Sequence, residues 1–213
     1  MTETQAEYRL PSIRVDLQRI AEIIAPGSRV LDIGCGDGGL LYYLVHEKQV
    51  DGRGIEIKQE RVHLCVSRGL SVIQGDAEMD LKDYPAQSFD YVVLSQTLQA
   101  TYTPKEVLSE MLRIGRHAVV SFHNFGYLRV RLDLLLRGKM PIWGAFNRPW
   151  YETPNIHNCT IRDFIDLCKE LGVVIEKRVS LDHSSRTGRS GLAYFFPNLF
   201  GKQAVFLLRR RNN

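Results

Sequence analysis

Apolar positions along the chain switch between two periods. Over residues 16–25, Leu17, Ile20, Ile23 and Ile24 share one helical face, and Pro26-Gly27 ends the run. Residues 29–33 form a short apolar strand that runs straight into glycines, and residues 40–46 read as the helix behind them. The unit then repeats. Residues 52–57 predict a second strand, 60–68 a helix stopped by Gly69, 71–74 a third strand and 89–94 a fourth. In Thr103-Pro104-Lys105-Glu106 a capping hydroxyl precedes a proline at the first helical position and a carboxylate at the third, which predicts a helix to about Ile114. Residues 118–122 predict a fifth strand.

The alternation breaks at residues 123–158, an insertion containing Tyr127, Trp143, Phe146, Trp150 and Tyr151. Within it Leu128, Leu132, Leu135 and Leu136 recur at helical spacing with Arg129, Arg131 and Arg137 between them. Thr160 with Asp163 opens a further helix that ends near Gly172. Residues 173–179 and 204–209 are the last strands, joined by a long loop at about 182–202. Strands alternating with helices predict a mostly parallel sheet covered on both faces. At 213 residues the chain reads as a single domain, 1–213, with insertions. The insertion aromatics with Arg129, Arg131 and Arg148 have three readings: a lid on a pocket, a patch for another protein, or a satellite core.

Composition narrows the function classes. The chain is 44% hydrophobic and 24% charged with net charge +4, ordinary for a globular α/β protein. Arg209-Arg210-Arg211 reads as a solvated run, so no nucleic-acid partner is expected. Cys35, Cys65, Cys159 and Cys168 show neither C-x-x-C nor zinc-ligand spacing, so no metal is expected and the thiols read as reduced and buried. The sequence reads as having neither an apolar leader nor a membrane-length run, so a cytoplasmic location without membrane association is expected.

Residues 30–39 read VLDIGCGDGG. Gly34, Gly36 and Gly39 make G-x-G-x-x-G between a strand and a helix, the spacing of a dinucleotide loop, with Glu56 placed to accept ribose hydroxyls. The charges argue otherwise. Asp32 ends the strand and Asp37 lies in the loop, where they would repel a pyrophosphate; at 4 Å and an effective dielectric near 20, two unit charges interact by about 4 kcal/mol. A ligand carrying an ammonium and a sulfonium, S-adenosylmethionine, suits the loop better.

The order VLDIGCGDG, then Gly54-Ile55-Glu56, then Gly75-Asp76-Ala77 resembles class I S-adenosylmethionine-dependent methyltransferases. The resemblance implies a Rossmann-like fold: a mostly parallel seven-stranded sheet, helices on both faces and an antiparallel last strand. It implies that S-adenosylmethionine (or S-adenosylhomocysteine) meets Asp32, Gly34, Cys35, Gly36 and Gly38 with its methionine portion. Glu56, with Ile57 beside it, would hold the ribose, and Asp76 and Ala77 the adenine. The stretch from Ser95 to Leu98 would line the cofactor and face an acceptor. More narrowly, RVDLQRIAEIIAPGSRVLDIGCGDGGLL, SQTLQA and WYETPNIHNCTIRDF resemble the MetW family over roughly residues 14–182. That resemblance implies a role in methionine synthesis beside homoserine O-acyltransferase, MetX, as partner and support. The alternative is an active small-molecule methyltransferase.

No catalytic residue is assigned from sequence. Ser95, Gln96, Thr97 and Gln99 orient by hydrogen bonds and do not titrate near neutrality, and the D/N-P-P-Y pattern of amino-group methyltransferases is absent. His123, at the end of the fifth strand, and His157, in Pro154-Asn155-Ile156-His157, are the candidate bases. The competing readings are a packed, backbone-bonded His123 and a structural or interface His157. Tyr102 and Tyr151 are lesser candidates.

Overall fold

A computed structural model describes residues 14–142, 148–182 and 192–211. Trp143, Phe146 and much of the loop expected at 182–202 lie outside the described residues. The first half repeats a strand-helix unit: α1 (Val15–Ile23), β1 (Arg29–Ile33), α2 (Gly39–Lys48), β2 (Asp51–Glu56), α3 (Gln59–Ser67), β3 (Ser71–Gln74) and a short α4 (Ala77–Asp80). The second half contains β4 (Phe89–Ser95), α5 (Pro104–Ile114), β5 (Gly115–His123), α6 (Leu128–Arg137), α7 (Ile161–Glu170), β6 (Val173–Leu181), the short α8 (Leu192–Phe195) and α9 (Pro197–Phe200), and β7 (Gln203–Arg210).

The strands form one seven-stranded sheet in the order β3-β2-β1-β4-β5-β7-β6. The first five are parallel, and β7 runs antiparallel to both β5 and β6, as expected. Burial on both faces explains why the central strands read as unbroken apolar runs. Successive residues go to opposite faces. Leu31, Ile33, Val92, Leu94, Val120 and Phe122 pack with α5 and α7, while Val30, Val93, Val119 and Val205 pack with α1 and α2. Chain order reverses between β1 and β4, which puts the crevice for a ligand beyond their carboxyl ends.

Two helix starts differ in how they are capped. Thr160 and Asp163 form the reciprocal box at α7: the Asp163 N–H donates to Thr160 Oγ1 at 3.2 Å and the Thr160 N–H to Asp163 Oδ2 at 2.8 Å. Thr103 does not cap α5 with its side chain. Its hydroxyl and N–H both donate to Glu78 Oε1, at 2.8 and 2.6 Å, because a carboxylate just outside the helix is the stronger acceptor. The loop expected before β7 also contains helical turns, α8 and α9. No helix among the described residues is long and apolar enough to cross a membrane.

Asn124, fully buried just past β5, joins the second half together. Its Nδ2 donates to the carbonyls of Asn198 and Gly201 at 3.1 and 2.7 Å, and its Oδ1 accepts from the N–H groups of Gly126 and Ile161 at 2.9 and 3.2 Å. All four hydrogen-bonding positions of the amide are used. Asn124→Ala leaves several buried groups without partners, at ~1–3 kcal/mol each. Urea unfolding should show a loss of at least ~3 kcal/mol; a loss below ~1 kcal/mol would mean water replaces the amide.

Candidate functional site

The chain leaves β1 through alternate left-handed residues: Gly34 at φ +66°, Gly36 at +62° and Gly38 at +77°. A residue with a Cβ is disfavoured there by roughly 1–2 kcal/mol, but the three glycines differ in what surrounds them. A Cβ on Gly38 would come within 2.6 Å of Leu70 Cδ1 and 2.9 Å of Cys65 Sγ, so this glycine permits packing against α3. A Cβ on Gly34 would meet Thr97 Oγ1 at 2.9 Å. On Gly36 it would find only Arg61 Nη1, at 3.9 Å.

Glu56, at the end of β2, holds this loop. It is 3% exposed; its Oε2 accepts from the Gly36 N–H at 2.9 Å and its Oε1 from the Lys58 N–H at 3.0 Å. Arg61 approaches the same carboxylate at 3.8 Å. The N–H groups of Gly34 and Cys35 both donate to the Ile55 carbonyl, at 2.8 and 3.2 Å. The acid expected to serve a ligand is therefore also the acid that shapes the loop.

A cavity of about 540 Å³ opens beyond these strand ends. Of the expected cofactor residues it brings together Gly34, Glu56, Ile57, Asp76 and Ala77. Asp76 caps α4, its Oδ1 accepting the Glu78 N–H at 2.9 Å. The remaining ones sit outside the lining. Gly36 and Gly38 act through the backbone as described. Cys35 is buried against Leu41, Val62 and Cys65, and burial pushes its thiol up. Asp37 is exposed, with its Oδ1 on the Gly39 N–H at 3.2 Å, so it contributes little to the lining charge. Ser95 faces Ser121 Oγ at 3.2 Å.

Asp32 lies beneath the loop at 2% exposure, with no hydrogen bond to its carboxylate among the described residues. Burial pushes its pKa up to about 7; the Arg14 guanidinium pulls it down and the Glu56 carboxylate adds to the rise.

The end of the cavity farther from β3 is lined by Gln96, Thr97, Thr101 and His123. Gln96 takes a left-handed φ of +55°, and its Nε2 donates to Asp16 Oδ2 at 2.8 Å. Asp16 is itself buried and paired with Arg14 at 3.2 Å, so the start of α1 braces the turn after β4. Burial pushes His123 down to about 4, with Asp16 raising and Arg14 lowering it, so its imidazole is neutral and a weak base at pH 7. His157 is exposed, with Nε2 3.3 Å from the Tyr102 carbonyl, and stands outside the lining.

The segment before His157 covers the cavity. The N–H groups of Ile156 and His157 donate to the Gln99 carbonyl at 2.8 and 3.0 Å, while the buried Gln99 side chain exchanges hydrogen bonds with the His123 backbone. Thr153, Pro154 and Asn155 line the cavity from above. Sequence reasoning missed Lys58, Arg61 and Glu78 in the lining, and Asp16 behind it. Lys58 and Arg61 follow β2 closely enough to have been suggested by the loop itself; Asp16 carried no local signal.

The buried Asp32 generates a prediction. Its folded pKa lies above its unfolded value, so its contribution to stability is complete below about pH 4 and is lost as pH rises through about 7. A rise of that size corresponds to ~4 kcal/mol. Thermal melts of Asp32→Asn against wild type should match near pH 4 and favour the variant by several kcal/mol at pH 8; parallel profiles would show that Asp32 is solvated.

A model of the family described as "Methionine biosynthesis protein MetW" matches residues 14–208. The bifunctional methionine biosynthesis protein MetXA/MetW of Rhodopirellula baltica is 37% identical over 226 aligned positions, covering 100% of this chain. The chain spans 36% of that relative's length. Among solved structures, an S-adenosylmethionine-dependent methyltransferase from Thermotoga maritima superposes with TM-score 0.65 at 18% identity, covering 92% of this chain and 88% of its own. One from Archaeoglobus fulgidus gives 0.63 at 18% identity, covering 91% of each. The fold is thus the Rossmann-like one of class I methyltransferases, and the chain belongs to the MetW family of methionine biosynthesis proteins.

Proposed function

We propose that the chain binds S-adenosylmethionine, or its demethylated product, in the cavity above the glycine loop, and that it partners and supports homoserine O-acyltransferase. The observation that carries the first part is the buried, unbonded Asp32 carboxylate beneath a loop of three left-handed glycines, beside a cavity carrying Glu56 and Asp76. Asp32 costs stability when ionised without a counter-charge, and the ammonium and sulfonium of the cofactor would supply one. Gly36 leaves the backbone open to its methionine portion while Thr97 packs over Gly34, Glu56 has acceptor positions left for the ribose, and Asp76 and Ala77 would form the adenine end. A pyrophosphate would meet Glu56 and Asp76 and be repelled by them, with Lys58 and Arg61 in the same lining offsetting part of that repulsion. The second part is supported by the Rhodopirellula baltica relative, whose name places MetXA and MetW in one bifunctional protein.

A second reading, methyl transfer to a small molecule, is favoured by the stretch of cavity between Gln96, His123 and Asn155, which offers room beside the cofactor. Its chemistry would rest on positioning the acceptor for in-line displacement, since His123 is too weak a base at neutral pH.

Calorimetry should show saturable binding of S-adenosylmethionine and none of NAD. Gly36→Ala should weaken binding at least tenfold and lower the melting temperature modestly, because its left-handed φ strains any side chain although the space is open; Gly38→Ala should lower the melting temperature further, because Leu70 and Cys65 also occupy that space. Saturable NAD binding would overturn the charge argument. Acyl transfer by purified homoserine O-acyltransferase should rise when this chain is added. With labelled cofactor and a metabolite extract, a labelled product would establish the second reading.

A further inference from the structure

Helix α6 faces the wrong way for a core element. Leu128, Leu132, Leu135 and Leu136 share one stripe at helical spacing, yet Leu135 and Leu136 are 78% and 76% exposed and Val130 is the helix's one buried residue. On the side of the sheet edge formed by β6, Phe195 and Phe196 of the α8–α9 turn are 73% and 60% exposed. The two features adjoin: Arg131 of α6 lines a cleft of about 440 Å³ together with Phe195, Phe196 and Leu199. Leu135 lies one turn along α6 from Arg131, on the same face.

The charges on this surface are unbalanced. Arg162 of α7 and Arg178 of β6 line the same cleft, and among the described residues no carboxylate pairs with either of them or with Arg131. The neighbouring acids are already engaged: Asp133 with Arg137, Asp163 with Thr160, and Glu176 with Arg209. The buried Ser180 hydroxyl, beside Tyr194 and Phe195 in the adjoining cleft, has no hydrogen-bond partner among the described residues. Large side chains exposed to this degree present several hundred Å² of apolar surface, on the scale of the ~800 Å² that each partner brings to a standard interface. A second copy of the chain would bring the same unpaired arginines to the contact, whereas a partner with carboxylates around an apolar ridge would neutralise them.

We propose that the outward stripe of α6 and the arginine-lined cleft beside α8–α9 form the docking surface for homoserine O-acyltransferase, which meets it with an apolar ridge flanked by acidic side chains. This rests on the partnership under Proposed function. Phe195 and Leu135 are the apolar anchors, and Arg162 and Arg178 set orientation and salt dependence.

The test is size-exclusion and equilibrium binding of the full chain with purified homoserine O-acyltransferase. Wild type should bind with an affinity that falls as salt rises. Leu135→Asp, Phe195→Asp and Arg178→Glu should each weaken binding at least tenfold. All three side chains are exposed and lie outside the glycine-loop cavity, so melting temperature and S-adenosylmethionine affinity should stay at wild-type values; Leu136→Asp provides a second stripe variant. If wild type binds and all variants bind equally well, the docking surface is overturned while the partnership stands. If wild type does not bind, the partnership falls and the docking assignment with it. Concentration-dependent dimerisation abolished by Leu135→Asp would assign the face to a second copy and overturn the proposed occupant.

Discussion

The bond between the Gly36 N–H and the Glu56 carboxylate couples the two halves of the candidate site. β1 has to end abruptly for α2 to pack back against the sheet, and three left-handed glycines achieve the reversal without clashes. Such a loop has little side-chain surface to hold it in place. Glu56 supplies the restraint by accepting backbone N–H groups from the loop after β1 and from its own turn after β2. A ligand at Glu56 therefore meets a preformed loop, and loss of Glu56 would disturb both the contact and the loop that presents it.

The cavity's other walls come from elements distant in sequence, each with its own local support. Asp76 closes α4 upon itself, Glu78 is held by Thr103 at the start of α5, and Gln99 ties the turn after β4 to β5 and to the segment around His157. Asp16 reaches from α1 to Gln96, a non-glycine residue kept in a left-handed conformation at the cavity wall. Backbone strain of that kind persists where surroundings over-determine it. Burial favours the neutral forms of Asp32 beneath the loop and of His123 in the lining.

The second face of the molecule has a different character. Around α6 and α8–α9, leucine and phenylalanine side chains are left in water beside guanidinium groups that no acid among the described residues neutralises. Asn124 joins this region to the sheet, since its one amide links the entry to α6, the start of α7 and the end of α9. The apolar face is therefore mounted on a hydrogen-bonded base, which would lower the entropy cost of the docking proposed above.

Much of this architecture follows from local pattern alone. The apolar runs of β1, β4 and β5, the glycines after β1 and the Thr160–Asp163 box each act over a few residues, so periodicity and spacing placed the strands, the loop and α7 correctly. Glu56 was singled out by its distance from the glycine loop and Asp76 by the resemblance to class I methyltransferases, and both lie in the lining of the cavity. What depended on distant chain segments was not legible. Thr103 gives up its capping role to Glu78, 25 residues away. Asp37 points out of the crevice although its place in the loop suggests a charge facing in, and Asp16 is invisible in the sequence because Ser95 and Gln96, which it joins to α1, lie 79 and 80 residues on. The leucines of α6 show the limit most clearly: their spacing determined a helix with one apolar face, but only the packing of Val130 inward decided that this face looks into solvent. Helical period depends on neighbours along the chain, whereas the direction a face points depends on which other surfaces are there to cover it.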